Sequence, residues 1–180
     1  MKALIFDCET TGLVKPLLPP EKQPEIIEYF GALYEFAPKK KPKRTKPLHI
    51  LFKPKGKISE EITRITGIKP EDVAHAKGFE IEGGKVFKHL ESAPVVIGHN
   101  VKFDRDMVEI EAARLGYKMK WPRLLCTIEQ TMHLKGYRLN LNALHTELIG
   151  EPFSGAHRAE VDVEAVARCV DALFQKGLLK

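Results

Sequence analysis

The chain opens on an apolar block with a polar end. Ala3-Leu4-Ile5-Phe6 lead into Asp7-Cys8-Glu9, so Lys2 to Glu9 predicts a buried strand. Val14 to Pro24 holds Pro16, Pro19, Pro20 and Pro24, and the fixed φ and missing N–H of proline predict a loop. In Glu25 to Phe36, the positions of Ile26, Phe30, Leu33 and Tyr34 fit a helical face, while the β-branched and aromatic content fits a strand. The second reading is taken here. Leu48, Ile50 and Phe52 alternate as a further strand, which makes the intervening segment a hairpin connection and its return arm.

After Lys57 the pattern changes. Ser59 before Glu60 and Glu61 predicts a helix start, and Gly67 its stop. Val86, Phe87 and Leu90 predict another helix, and Pro94-Val95-Val96-Ile97 a short buried strand. Residues 101–115 carry Phe103, Met107, Ile110 and Leu115 at near-helical spacing and stop at Gly116. Arg123 to Thr127 predicts a last strand, Leu141, Leu144 and Leu148 a helix before Gly150, and 157–176 a closing helix before Gly177. Strands first, then strand-helix alternation, indicate an α/β layer fold with a mixed sheet.

Length and composition narrow the class. At 180 residues, with 43% hydrophobic and 29% charged positions and no linker-like stretch, the chain is expected to be a single domain, 1–180. No apolar run approaches the ~20 residues of a membrane helix, and Met1 to Asp7 does not read as a signal peptide, so a cytoplasmic protein without a membrane partner is expected. Cys8, Cys126 and Cys169 are widely separated and fit reduced core residues. The net charge of +5 is unevenly spread. Between Ala37 and Lys57 stand Lys39, Lys40, Lys41, Lys43, Arg44, Lys46, Lys53, Lys55 and Lys57 with no acid, and removing these nine from the 29 cations leaves 20 against 24 acids. Such a stretch is either a solvated hairpin tip or an arm that binds a nucleic-acid backbone, the second with Lys39, Lys40, Lys41, Lys43 and Arg44 as its phosphate contacts.

The acids carry the candidate chemistry. Asp7 and Glu9 alternate onto one face of their strand, ~7 Å apart, and need exposure or a cation. Asp104 lies near the start of its helix, where a dipole interaction is the simpler reading. Asp162 shares a face with Val166, Cys169, Val170 and Leu173, so its carboxylate points to the apolar side and requires a partner or a metal. His157, just before that helix, is placed to reach the same region.

Together, Asp7-Cys8-Glu9-Thr10-Thr11-Gly12, Gly98-His99-Asn100-Val101-Lys102-Phe103-Asp104 and His157-Arg158-Ala159-Glu160-Val161-Asp162 strongly resemble the three motifs of DEDDh-class 3′-5′ exonucleases. These include epsilon-type proofreading subunits, RNase T and oligoribonuclease. The resemblance covers roughly residues 1–175. It implies an RNase H-like three-layer fold, with a central mixed five-stranded sheet flanked by helices, and release of nucleoside 5′-monophosphates from DNA or RNA with a free 3′ end. It further implies that Asp7, Glu9, Asp104 and Asp162 hold two Mg²⁺ or Mn²⁺ ions, that His157 is the general base, and that Thr10, Thr11, Leu13, His99, Asn100 and Phe103 shape the nucleotide pocket. Thr66, in Ile65-Thr66-Gly67-Ile68, stands where the family often has histidine. A polymerase or another replication or repair protein is the implied partner, with the oligomeric state open. Two other readings share some of these features: a haloacid-dehalogenase-like phosphatase, which would want Asp at position 9, and a non-catalytic nucleic-acid-binding domain.

Overall fold

The computed structural model describes residues 1–179. Lys2–Thr10 forms β1, the middle strand of five, because its apolar residues alternate onto two faces that both meet helices. β2 (Ile26–Glu35) and β3 (Lys43–Leu51) follow antiparallel on one side. β4 (Val95–Gly98) and β5 (Arg123–Cys126) lie parallel to β1 on the other, giving the order β3-β2-β1-β4-β5. The mixed five-stranded sheet expected from the sequence is therefore present, and Glu25 to Phe36 is a strand.

Seven helices flank it among the described residues: α1 (Glu60–Thr66), α2 (Pro70–Val73), α3 (Phe79–Glu91), α4 (Val101–Arg114), α5 (Thr127–Lys135), α6 (Leu141–Ile149) and α7 (Ala159–Gln175). Leu4, Phe6 and Cys8 pack with Val86, Leu90, Met107 and Val108 from α3 and α4. The alternate residues Ala3 and Ile5, with Phe30, Ala32 and Tyr34 of β2, pack on Ala159, Val163, Val166, Ala167 and Val170 of α7. The result is three layers, helix, sheet, helix. The side chain of Ser59 accepts a hydrogen bond from the N–H of Ile62, and Gly67 closes α1 at φ 72°, so the predicted start and stop both form.

Some elements differ from the sequence reading. α2 and α5 were not expected. α5 begins where a strand was predicted to finish and carries few apolar residues, so its helical period is faint. A three-residue 3-10 turn, Pro20–Lys22, lies inside the proline-rich loop. The closing helix starts at Ala159 rather than 157, because His157 sits in the left-handed region at φ 66° and cannot continue a right-handed helix.

Candidate active site

The acids converge where the parallel strands end, the usual place for ligands on an open α/β sheet. Asp7 and Glu9 lie on the α7 side of β1. A register shift between Glu9 and Thr10 ends the regular pairing just beyond them. β4 turns sharply into α4. A side chain at Gly98 would bring its Cβ within 3.1 Å of Val101, and Asn100 adopts φ 62°, a left-handed value that asparagine tolerates. This turn presents His99 and Asn100 and brings Asp104 back to β1, where its Oδ1 accepts the Cys8 N–H at 3.1 Å. Asp104 stands in the first turn of α4, as the dipole reading has it, but it is buried and turned toward β1.

Asp162 emerges from the first turn of α7 with its companions Val166, Cys169, Val170 and Leu173 all buried. Its Oδ2 accepts the backbone N–H of His157 at 2.8 Å. Glu9, His157 and Asp162 each offer a ligand atom within 4.8 Å of the others, with His157 exposed and both acids buried. Asp7, Glu9, Asp104, Asp162, His157, His99, Asn100 and Phe103 line one cavity of about 700 Å³, within the ~300–1,000 Å³ typical of small-molecule sites.

So many carboxylates cannot all ionise together without a cation. Burial pushes Glu9 up to about 8, helped by the charges of Asp162, Glu28 and Asp104. Burial likewise pushes Asp104 to about 8, against the pull of the Cys8 N–H. Asp7 is raised by burial and then by Asp104, Glu9 and Asp162, and Asp162 is raised by burial despite its bond from His157. The donors are carboxylate oxygens and an imidazole, while the Cys8 side chain packs in the opposite apolar layer. Hard oxygen ligands suit Mg²⁺ or Mn²⁺, so this site fits a divalent cation of that kind. Burial drives His99 the other way, down to about 4, leaving a neutral ring whose Nδ1 lies 2.8 Å from the Thr127 hydroxyl.

Residues 4–170 match the family model described as Exonuclease. The chain belongs to the Exonuclease family. Among curated members, the DNA polymerase III PolC-type of Caldanaerobacter subterraneus subsp. tengcongensis is 30% identical over 177 residues, covering 96% of this chain and 12% of the relative. The 3′-5′ exonuclease DinG of Bacillus subtilis is 26% identical over 177 residues, covering 96% of this chain and 18% of the relative. The chain thus spans under a fifth of either relative's length. Its fold matches the nuclease domain of 3′hExo, a DEDDh family member bound to rAMP, with TM-score 0.77, 17% identity and coverage of 98% and 93% of the two chains. Exonuclease X in complex with 5′ overhanging duplex DNA gives TM-score 0.66 at 22% identity, covering 97% and 93%. The sheet and layers are those of the RNase H-like exonucleases, which removes the phosphatase reading.

Within this exonuclease-family fold, not every expected residue reaches the cavity. Thr10 turns its hydroxyl onto the Gly12 carbonyl, Thr11 uses its own to accept the Glu25 N–H, and Leu13 stands exposed outside. Thr66 is buried and bonds within its own helix end, to the Ile62 carbonyl and from the Ile68 N–H. The basic hairpin is remote. Lys43 pairs with Glu35, which pairs with Lys2, seven residues or ~23 Å along β1 from Glu9. Arg44 there is bound to Glu160 and Glu164 of α7 and lies over the Phe30 ring. Two residues escaped the sequence reading. Arg138, in the α5–α6 connection, is the one Lys or Arg among the described residues that line the cavity, and it donates to Asn100 Oδ1 at 3.0 Å. Glu28 lies opposite Glu9 on β2, and its signal was a carboxylate alternating with Phe30, Ala32 and Tyr34 on an apolar face.

Proposed function

We propose that this chain is one exonuclease domain, removing nucleoside 5′-monophosphates from the 3′ end of a nucleic acid with divalent cations. The observation that carries this is the gathering of Glu9, His157 and Asp162 within 4.8 Å in the cavity that Asp7 and Asp104 also line. Asp7, Glu9, Asp104 and Asp162 would hold two Mg²⁺ or Mn²⁺ ions. Such a pair, when bound, neutralises the phosphodiester charge and stabilises the entering and leaving oxygens. His157 is the base that takes a proton from the attacking water. It is exposed on one side, beside two acids on the other, and imidazole accepts protons near neutral pH where an ion-bound carboxylate is a poor base. Neutral His99, Asn100 and Phe103 line the space for the terminal nucleotide.

Relatives named as DNA polymerase III favour DNA as substrate and a replication polymerase as partner. The test is a time course on 3′- and 5′-labelled single- and double-stranded DNA and RNA with Mg²⁺, Mn²⁺ or EDTA. Shortening from the 3′ end with monophosphate release is expected, abolished by EDTA and by Asp7→Ala or Asp162→Ala. A near-normal rate in either variant sinks the assignment. His157→Ala is expected to lose about 10²–10⁴ in rate while keeping metal and oligonucleotide binding. Binding with metal but no shortening of any substrate would favour the non-catalytic reading.

A further inference from the structure

Glu28 differs from the acids around it in being fully engaged by the protein. It is 1% exposed and faces Glu9 across the β1–β2 pair. Oε1 accepts from Arg158 Nη2 at 3.0 Å and lies 2.8 Å from His49 Nε2 of β3. Oε2 accepts from Arg158 Nε at 3.3 Å and from the Ala159 N–H at 3.1 Å. Burial alone would raise its pKa, yet the bonds from Arg158, Ala159 and His49 outweigh that and hold it below the usual carboxylate range. With its oxygens so occupied, Glu28 is a structural anchor and not a further metal ligand.

What it anchors is the start of α7. A helix leaves its first N–H groups without partners, and Arg158 at the cap position supplies no side-chain acceptor to satisfy them. Glu28 supplies one from outside the helix, taking the N–H of Ala159, and Asp162 reaches back from within the helix to take that of His157, just ahead of the cap. His157 itself stands at φ 66°, a conformation that a non-glycine residue keeps only where its surroundings over-determine it. The fork of Arg158 onto Glu28 is the tie immediately next to it in the chain.

We propose that Glu28 and Arg158 are positioning residues, a bracket that holds His157 in its left-handed turn against Glu9 and Asp162. The pair therefore sets turnover and not substrate affinity. This rests on the reading of His157 as the base.

The experiment is steady-state kinetics of the full chain on a labelled single-stranded oligonucleotide at saturating Mg²⁺, with thermal melting of each variant. Glu28→Gln and Arg158→Ala are each expected to lower kcat about 10–100-fold, the size seen when partners that orient active-site ligands are removed. KM should stay within about twofold, and the double variant should be no slower than the slower single one, since both break one unit. Arg158→Lys should recover part of the loss by restoring the charge without the fork. The Arg158 side chain is 45% exposed, so Arg158→Ala decides the matter if Glu28→Gln fails to fold. Unchanged kcat in folded Arg158→Ala overturns the bracket. So does a rise in KM alone with a flatter salt dependence, which would make Arg158 a phosphate contact. A wild type inert with both Mg²⁺ and Mn²⁺ overturns the functional reading as well, whereas an active wild type with unaffected variants overturns only the bracket.

Discussion

Glu9 and Asp104, each pushed to about 8, and His99, pushed to about 4, give the fold opposing pH responses. The two acids keep protons that the unfolded chain releases near pH ~4, so their contribution weakens as pH rises toward 8. His99 is depressed below its unfolded ~6.5, so its contribution is complete above that pH and is lost as pH falls toward 4. Between about pH 6.5 and 8 the His99 contribution is constant, and the acids make the metal-free protein less stable as pH rises. Thermal melting in EDTA should show a lower midpoint at about pH 8 than at 6.5, and Mg²⁺ or Mn²⁺ should raise it more at the higher pH. A midpoint that climbs across this window in EDTA contradicts the assignment. At this scale the sequence was informative where a charge broke an apolar stripe, as Asp162 does. It did not give the hydroxyl directions of Thr10, bonded to the Gly12 carbonyl, and Thr11, bonded by the Glu25 N–H, because these depend on backbone dihedrals that no spacing reveals.

Among the elements, strands and capped helices were legible because Ser59, Gly67 and the apolar run Ala3 to Phe6 each have a local cause. α5 was not, since Thr127 to Lys135 owes its helicity to packing of Ile128 and Thr131 more than to any period of its own. Missing α5 also hid the connection that follows it, and with it Arg138. That side chain is the cavity's cation beside several acids, held through Asn100 at the start of α4. Arg138→Gln should raise KM for oligonucleotides about threefold to thirtyfold, the loss of one charge-assisted phosphate contact, with kcat little changed. Kinetics that instead lose kcat at constant KM would place Arg138 outside substrate binding.

On the scale of the whole molecule, charge is sorted by position. The lysines Lys39 to Lys43 of the hairpin cap one end of the sheet and the acids crowd the other, so the two cannot grip the same short substrate. Neutralising Lys39, Lys40, Lys41 and Lys43 should leave kcat/KM on a dinucleotide unchanged, while a long single strand, able to reach the hairpin, should show a weaker salt dependence if that arm tracks the backbone. A salt slope equal to wild type on the long strand returns the hairpin to a solvated tip; a loss on the dinucleotide would require a different path for the substrate. The sequence shows how many cations the arm carries but not its distance from the acids, which is fixed by strand register. The site itself is divided between regions of unequal permanence. Asp7 and Glu9 ride on β1, the central strand, and are paired there with Phe30 and Glu28 of β2, whereas His157 lies in the irregular stretch between α6 and α7. Local opening starts in irregular segments and reaches central strands last. Brief excursions from the native state are therefore expected to release His157, the proposed base, while Asp7 and Glu9 stay in place, so that catalytic competence is lost well before the fold is.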